Sequence, residues 1–227
     1  MNVAPNGTKV GYIRLKQFNA NAAKDMRNAI TELSGEGVSG FVLDLRSNPG
    51  GLLMASVEIA RQWLDEGVIV SSSTRDGVSD VKRASGRALT QAPLVVLVNE
   101  GSASASEILS GAIQDNDRGV VVGKKTFGKG LIQSVRGLSD GSGMTVTIAK
   151  YLTPSGRDIH KLGITPDVNA NLSKAQAQRL KFEDLGTRKD PQYRVAESEL
   201  GKLLRQNNAK PELSFDGEVQ LDVFSTN

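Results

Sequence analysis

Three serines separated by alanines, Ser102, Ser104 and Ser106, lie where an apolar run gives way to a helical pattern. A serine hydroxyl at the start of a helix can act as a nucleophile, because the free N–H groups and the dipole of the first turn stabilise a developing oxyanion. The same segment also matches a capping box, in which Ser104 caps the helix and Glu107 binds back to its N–H. The pattern alone favours the cap, because capping boxes are common, although one serine can serve both roles.

Lys129 is the second residue whose surroundings suggest chemistry, since Gly128 and Gly130 flank it. Most lysines are solvated surface charges. A lysine buried near few charges loses its proton more easily and can act as a base near neutral pH, and flanking glycines would leave room for such a side chain. Gln133 could orient the amine, but a regular strand would hold the two Cα atoms roughly 13 Å apart. Contact would therefore need a bend, which Gly130 could supply.

A glycine-rich turn at 48–51 (NPGG) reads as a connection into a helix. It also carries N–H groups that no side chain shields, and these could form the second half of an oxyanion hole beside a serine nucleophile. Asp44 and Arg46 precede the turn, and we expect them to brace it as an ion pair. An isolated NPGG sequence is weak evidence by itself.

Composition excludes several other chemistries. The 227 residues include no cysteine, which excludes disulfides, thiolate catalysis and cysteine-ligated zinc. The only histidine is His160, so a histidine-rich metal site cannot exist, and a Ser–His pair would have to use this residue. His160 lies in a polar loop where Asp158 is the best local acid, and this context favours a structural role.

The formal charge of +3 is small and spread along the chain. No basic block and no basic amphipathic helix stands out, so the sequence gives no reason to expect binding to nucleic acid or to a membrane surface. No apolar run approaches the roughly 20 residues that a membrane span needs. We also expect no metal or organic cofactor.

Alternation of strand-like and helix-like segments predicts an α/β layered domain. Periodicity predicts a helix that follows the serine cluster and reaches about residue 114, and further helices at 21–33, 52–64, 174–185 and 195–206. The predicted strands lie at 9–18, 40–45, 68–73, 94–98, 119–122, 131–135 and 143–152. The polar stretch 75–91 is expected to be irregular, and residues 211–227 look like an appendage.

Three segments resemble, in order and spacing, the carboxyl-terminal processing peptidases, which use a Ser/Lys dyad. They are DLRSNPGG (44–51), VNEGSASASEIL with the QD that follows it (98–115), and VVGKKTFGKGLIQ (121–133). The later GRDIHKLGITPDV (156–168) is similar to the GIxPD ending of that family. The resemblance covers roughly residues 9–168.

Two further stretches, GYIRLKQFNANAA (11–23) and LDEGVIVSSSTRDG (64–77), resemble the cyanobacterial and chloroplast branch of the family. Members of that branch trim the carboxyl tail of a photosystem II reaction-centre precursor protein. The resemblance therefore implies C-terminal tails of protein substrates as partners and a periplasmic or thylakoid-lumenal location. It does not specify the oligomeric state.

The resemblance assigns roles to individual residues. Ser104 matches the nucleophile, Lys129 the general base and Gln133 the residue that holds the base. Gly50 and Ala105 match the main-chain donors of the oxyanion hole. Three supporting positions are interpreted as structural, namely a cap partner, a helix-end carboxylate and a loop hydroxyl: Glu107, Asp115 and Thr126.

The fold implied by the resemblance is a crotonase/ClpP-like ββα spiral protease core of the α/β class, covering residues 1–168. Residues 169–227 are expected to form a helical appendage that could pack on this core. Family members usually carry a PDZ domain of about 90 residues ahead of the core, whereas only eight residues precede the first predicted strand. We therefore expect that a PDZ domain has either been removed or is naturally absent.

We therefore expect a serine endopeptidase that cleaves near the C terminus of protein substrates through an acyl-enzyme on Ser104. One alternative is a non-catalytic peptide-binding or assembly module with the same fold. Another is a crotonase-type enzyme that acts on thioesters, although no acyl-CoA signature is visible and fold alone does not give function.

Overall fold

The structure is a computed structural model and describes residues 1–209. Its strands are β1 (Asn2–Val3), β2 (Lys9–Arg14), β3 (Gly40–Asp44), β4 (Val68–Thr74), β5 (Gly77–Arg83), β6 (Leu94–Val98), β7 (Val120–Gly123), β8 (Leu131–Gly137), β9 (Gly143–Leu152) and β10 (Val168–Asn169). Its helices are α1 (Ala22–Gly35), α2 (Leu53–Trp63), α3 (Ala105–Asp115), α4 (Lys174–Arg179) and α5 (Pro191–Ala209). The appendage expected at 211–227 lies outside the described residues.

A six-stranded sheet runs in the order β1-β2-β3-β6-β7-β10, and all neighbours except β1 and β2 are parallel. Parallel strands end at the same edge of a sheet, where loops commonly form binding and catalytic sites. The loops that follow β3, β6 and β7 therefore lie side by side. They are the loops at 45–52, 99–104 and 124–130, which carry the three motifs singled out in the sequence.

Side chains of the central strand β6 alternate between two hydrophobic cores, because successive residues of a strand point to opposite faces. Leu94, Val96 and Val98 pack with residues of α1, α2 and α3, whereas Val95 and Leu97 pack with residues of α5. All five side chains are fully buried. Helices therefore cover the sheet on both faces, as this continuous apolar run predicts.

A second, antiparallel sheet has the strand order β5-β4-β9-β8. The expectation of an irregular stretch at 75–91 is wrong, because Gly77–Arg83 forms β5 and pairs with β4. Most side chains of β5 are exposed, so no apolar alternation marks this strand in the sequence. The dipeptide Asp76-Gly77 after an apolar strand is the signal that could have found it, because Asp-Gly is typical of tight hairpin turns.

Helix α5 begins earlier than predicted, at Pro191. Asp190 caps it, since Oδ1 of Asp190 accepts the N–H groups of Gln192 (3.0 Å) and Tyr193 (3.2 Å). Proline is favoured at the first position of a helix, because its missing N–H would have no partner there. Tyr193 and Leu200 are buried against the sheet. The C-terminal segment thus packs on the core, while the division of the chain at residue 168 stays a prediction.

The helix predicted at 174–185 is shorter than expected. Helix α4 ends at Arg179, and a 3-10 turn at Phe182–Asp184 follows. The other predicted elements are present, with bounds shifted by a few residues. Among residues 1–209, no helix combines the length and the apolar content that crossing a bilayer requires.

Leu97→Ala should destabilise the fold strongly. Leu97 is fully buried in the central strand, so the substitution removes apolar contacts and leaves a cavity, and comparable losses cost about 2–5 kcal/mol. Leu138→Ala is the matched control, because that leucine is exposed and its loss should change the free energy of unfolding by less than about 0.5 kcal/mol. Urea denaturation followed by circular dichroism measures both, and equal losses would contradict the packing of helices on both faces.

Candidate active site

Ser104 occupies a strained backbone conformation between β6 and α3. Its φ of 56° and ψ of −113° lie outside the regions that L-residues favour, at a typical cost of about 1–3 kcal/mol. Its N–H donates to the Glu107 carboxylate (2.8 Å), which is part of the predicted capping box. The N–H of Glu107 donates to the main-chain oxygen of Ser104 (2.9 Å), and no cap hydrogen bond is made to the Ser104 side chain. Among residues 1–209, the start of α3 is therefore held by the Glu107 side chain and by the main chain of Ser104.

The Glu107 carboxylate is fully buried and accepts four hydrogen bonds. Oε2 accepts the N–H groups of Ser104 and Lys129, both at 2.8 Å. Oε1 accepts the Gly128 N–H (2.6 Å) and the Thr126 hydroxyl (2.5 Å). A buried carboxylate is costly unless donors fill its oxygens, and here the donors come from two loops at the sheet edge. The carboxylate therefore joins the loop after β6 to the loop after β7.

This shared oxygen brings Ser104 and Lys129 together. Each main-chain nitrogen lies 2.8 Å from Oε2, so the two nitrogens are at most twice that distance apart. A further hydrogen bond, from the Phe127 N–H to the carbonyl oxygen of Ser102 (3.0 Å), holds the same two loops together. The predicted nucleophile and the predicted base thus lie in one site, and their roles stay predictions.

Lys129 is exposed in the described part of the chain, so the burial that would favour a neutral lysine is not observed there. Burial alternates from residue to residue along the loop after β7, as it does along a half-buried strand. Thr126, Gly128 and Gly130 are buried, whereas Phe127 and Lys129 are exposed. The described part of the chain does not supply the desolvation that a lysine base would need.

Gln133 is exposed as well. The pairing of β8 with β9 shifts between Ile132 and Gln133, so the irregularity lies there rather than at Gly130. Within residues 1–209, no hydrogen bond joins the side chains of Gln133 and Lys129. A role for Gln133 in holding the base therefore stays a prediction.

Gly50 lies against the predicted nucleophile. An added Cβ at this residue would come within 2.9 Å of the Ser104 Cβ and of the Ala105 nitrogen, and within 2.7 Å of the Ala103 carbonyl oxygen. Its φ of 98° is also a value that residues with side chains disfavour. Only glycine therefore allows the turn after β3 to approach Ser104 this closely.

The two predicted oxyanion donors differ in their hydrogen bonds. The Ala105 N–H at the first position of α3 has no partner within residues 1–209, as is usual for the first turn of a helix. The Gly50 N–H donates to Oδ1 of Asn48 (2.9 Å). An oxyanion bound here would therefore have to share the Gly50 donor with Asn48 or displace that side chain.

Asn48 joins the turn after β3 to the serine cluster, a role that sequence reasoning missed. It is fully buried, and its carbonyl oxygen accepts the Ala103 N–H (3.0 Å) and the Ser106 hydroxyl (2.9 Å). Its side-chain amide donates to the carbonyl oxygen of Leu15 (2.8 Å). The position of Asn48 two residues before a glycine is typical of a turn closed by an asparagine side chain, but that local signal does not reveal the contacts with the other loop.

Asn99 joins the same two loops from the other side and was also missed. Its Oδ1 accepts the N–H groups of Ser47 (2.7 Å) and Gly101 (3.0 Å). Ser47 has a φ of 55°, so a second serine at this edge is strained. The Ser102 hydroxyl completes the connection by donating to the carbonyl oxygen of Leu45 (2.8 Å). Hydrogen bonds along both sides therefore fix the two loops against each other.

Asp44 and Arg46 form the ion pair that the sequence predicts. Both are buried, and Nε and Nη2 of Arg46 donate to the two Asp44 oxygens at 2.9 and 2.6 Å. Tyr12 donates its hydroxyl to Asp44 (2.6 Å), and burial together with the Asp44 charge raises the pKa of this phenol. Burial lowers the pKa of Arg46, but hydrogen bonds and charges of Asp44 and Asp190 outweigh that effect and raise it above its ordinary value. The guanidinium therefore stays charged.

The other two supporting residues lie in different places. Thr126 is buried beside the Glu107 carboxylate and accepts the Ile164 N–H (2.7 Å). Asp115 lies at the C-terminal end of α3, where it accepts the Ser155 N–H (2.9 Å) and pairs with Arg157. Burial would raise the pKa of Asp115, but hydrogen bonds from the loop after β9 and the nearby guanidinium hold it below its ordinary value. This helix-end carboxylate therefore anchors the loop after β9.

His160 packs beside the predicted base without forming a catalytic pair. An added Cβ at Gly130 would lie 2.4 Å from the His160 main-chain nitrogen. Asp158 accepts the His160 main-chain N–H (2.7 Å), whereas the ring Nδ1 is buried without a hydrogen-bond partner among residues 1–209. Asp158, the acid nearest to His160 in the sequence, thus binds the His160 backbone and makes no hydrogen bond to Nδ1 of the ring.

Gly50→Ala should slow the reaction of Ser104 with a fluorophosphonate probe by about a hundredfold, because the added methyl group would push the turn after β3 away from the loop that carries Ser104. Gly77→Ala is the matched control: Gly77 also has a positive φ (111°), but nothing lies within 4 Å of its added Cβ. Both variants carry the cost of a positive φ, and only Gly50→Ala adds crowding. Rates of reaction with a fluorophosphonate probe, measured beside thermal melting, separate the two effects. Equal rates would show that the close approach is unimportant.

Thr126→Val should lower the free energy of unfolding by about 1–3 kcal/mol, because it keeps the shape but removes one of the two donors to Oε1 of Glu107 and leaves the Ile164 N–H without its acceptor. Thr126→Ser keeps the hydroxyl and should lose only about 1 kcal/mol with the buried methyl group. Chemical denaturation compares the two variants. A valine variant as stable as the serine variant would mean that the hydroxyl does not stabilise this loop.

Comparison with known proteins gives the family of the chain. Residues 9–170 match the description Peptidase family S41. The carboxyl-terminal-processing protease of Synechocystis sp. is 53% identical over 190 residues, which cover 84% of this chain and 43% of that protein. The chloroplastic C-terminal processing peptidase of Tetradesmus obliquus is 52% identical over 161 residues, which cover 70% of this chain and 35% of that protein. The chain therefore spans less than half the length of these relatives.

Solved structures agree with this grouping. The photosystem II D1 C-terminal processing protease has a TM-score of 0.71 and 49% identity, and the match covers 74% of this chain and 45% of that chain. Tricorn protease has a TM-score of 0.56 at 19% identity over 89% of this chain and 18% of that chain, a likeness of fold alone. The predicted α/β class and the predicted family are confirmed. The chain belongs to peptidase family S41, in which it is similar to the carboxyl-terminal-processing proteases of cyanobacteria and chloroplasts.

Proposed function

We propose that this chain carries a serine endopeptidase site that cleaves near the C terminus of protein substrates. The observation that carries the proposal is the Glu107 carboxylate, one oxygen of which binds the main-chain N–H groups of both Ser104 and Lys129. It sets a hydroxyl-bearing residue and an amine-bearing residue from two loops beside each other. Gly50 and the Ala105 N–H lie against the same serine.

The reaction begins when neutral Lys129 accepts the Ser104 hydroxyl proton as the serine oxygen attacks a peptide carbonyl carbon. The carbonyl oxygen becomes an oxyanion, which the N–H groups of Ala105 and Gly50 stabilise. The C–N bond then breaks, and the Lys129 ammonium returns its proton to the leaving amine of the C-terminal fragment. Water, activated by Lys129, hydrolyses the remaining ester and restores the Ser104 hydroxyl.

Because Lys129 is exposed, the proposal also requires that something cover the amine during the reaction. A bound peptide that lies across the loops after β6 and β7 would exclude water from the amine and favour its neutral form. Phe127 is exposed two residues before Lys129 in the same loop, so an apolar contact for such a peptide lies near the base. Substrate binding would then shield the Lys129 amine from water, which the described residues do not do by themselves.

The relatives support a proposal for the class of substrate. One relative of known structure is named a photosystem II D1 C-terminal processing protease. We propose a substrate of the same class for this chain, the C-terminal tail of a photosystem II reaction-centre precursor protein. A periplasmic or thylakoid-lumenal location would fit the cyanobacterial and chloroplast origin of the relatives.

A second candidate function is a non-catalytic peptide-binding or assembly module. The exposure of both Lys129 and Gln133, whose side chains share no hydrogen bond within residues 1–209, favours it. Such a module would bind peptide tails without forming an acyl-enzyme.

Intact mass after exposure to a fluorophosphonate probe distinguishes the two functions. The unmodified chain should gain one adduct, because the Ser104 oxygen attacks phosphorus and displaces fluoride. Ser104→Ala should gain none, and Lys129→Ala should react at least about a hundredfold more slowly. Lys125→Ala is the matched control, since Lys125 is an exposed lysine of the same loop, and this variant should react at the unmodified rate.

The labelling rate should also fall in acid, because a protonated amine cannot accept the serine proton. A rate that is flat from acid to alkaline pH, or full reactivity of Lys129→Ala, would remove Lys129 from the mechanism. A folded chain that gains no adduct but binds a peptide tail would support the binding module instead.

A further inference from the structure

A buried guanidinium links the C-terminal helix to the turn after β3. Arg46 is buried and lies two residues before Asn48. Besides binding Asp44, it donates from Nη2 (2.7 Å) and Nη1 (3.2 Å) to the two carboxylate oxygens of Asp190. Nη1 also donates to Oε1 of Gln192 (3.0 Å). The guanidinium is therefore shared between its own loop and the segment that begins α5.

Asp190 is itself held in place by the helix that it caps. Its carboxylate is fully buried and accepts the first N–H groups of α5 as well as the Gly186 N–H (3.2 Å). Tyr193, in the first turn of α5, is fully buried in the core between this helix and the sheet. The packing of the first turn thus fixes the position of the carboxylate that Arg46 binds.

We propose that Asp190 is a positioning residue for the peptidase site: through Arg46 it holds the turn at 46–50 and so places Gly50 against Ser104. This inference rests on the proposed function and deepens it. Asp190 lies beyond residues 9–170, the part of the chain that matches the family. The C-terminal segment therefore takes part in building the site.

The charges explain why Asp190 would be hard to replace. Buried ions are stable only when partners satisfy them, and removal of one partner leaves an uncompensated group. Without Asp190, Arg46 could regain hydrogen bonds only by moving. Ser47 follows directly in a strained conformation, so a shift of Arg46 passes along the short turn to Gly50. A displacement of about 1 Å in a catalytic site can cost about a hundredfold in rate.

Asp190→Asn tests the proposal, because asparagine keeps the shape and still caps a helix, but lacks the charge and one acceptor oxygen that Arg46 uses. Leu200→Ala is the matched control, since it loosens the same helix through apolar packing that does not involve Arg46. The two variants are compared at temperatures where equal fractions are folded. The readouts are amide hydrogen exchange at residues 46–51, followed by mass spectrometry, and the rate at which the fluorophosphonate probe labels Ser104.

We expect Asp190→Asn to speed exchange at 46–51 and to slow labelling by about ten- to a hundredfold. Leu200→Ala should speed exchange in α5 and leave labelling nearly unchanged. Equal effects of the two variants would overturn the proposal, as would unchanged exchange or unchanged labelling in Asp190→Asn.

Two further outcomes also decide the question. If Asp190→Asn does not fold, Gln192→Ala, which removes one neutral partner of Arg46, should shift both readouts in the same direction and by less, and no shift would overturn the proposal. If the unmodified chain is not labelled, the proposed peptidase function fails. Exchange at 46–51 then decides alone whether Asp190 holds the turn.

Discussion

The geometry of the site depends on one buried carboxylate. Glu107 lies in the first turn of α3, yet three of its four hydrogen bonds go to the loop after β7. Such a group is tolerated in the interior only because every one of these bonds is made. Any arrangement of the two loops that separated Ser104 from Lys129 would therefore also break hydrogen bonds to a buried charge-bearing side chain. Chemistry and folding are coupled at this one residue.

The sheet supplies the coarse positions that this carboxylate refines. Strands β3, β6 and β7 are parallel neighbours, so their loops emerge side by side although they are far apart along the chain. Asn48 and Asn99 then bind the first two loops to each other, and Glu107 binds the second to the third. The site is thus assembled in two stages, first by strand order and then by short polar links. A crotonase-type thioester enzyme finds no support in this arrangement or in the family match.

Local features of the sequence were sufficient for much of this architecture. Glycine-rich turns after apolar strands marked the loops at 45–52 and 124–130, and the serine cluster before a helix marked the loop that carries Ser104. Features that depend on contacts between distant residues were not accessible. The cap partner Glu107 could be predicted from spacing, but its bonds to the loop after β7 could not, because no local pattern encodes them. The exposure of Lys129 was missed for the same reason, since burial depends on what packs against an extended loop.

The C-terminal segment contains one feature that the local sequence predicts and one that it does not. The dipeptide Asp190-Pro191 carries a readable signal for a helix start, and a closer reading would have placed the beginning of α5 correctly. Nothing local indicates that the same aspartate binds Arg46, which lies 144 residues earlier in the chain. A cap that also neutralises a distant guanidinium can be recognised only once the fold is known.

The backbone of Ser104 has a consequence for how this chain balances stability against activity. Glycine would adopt its φ and ψ with less strain, so selection for a stable fold alone would tend to remove a side chain from this position. A serine in such a conformation is a local defect of about 1–3 kcal/mol, comparable with a sizeable share of the marginal stability of a whole domain. The fold thus gives up stability to keep a residue with a hydroxyl at this position, as the proposed role of Ser104 as a nucleophile would require.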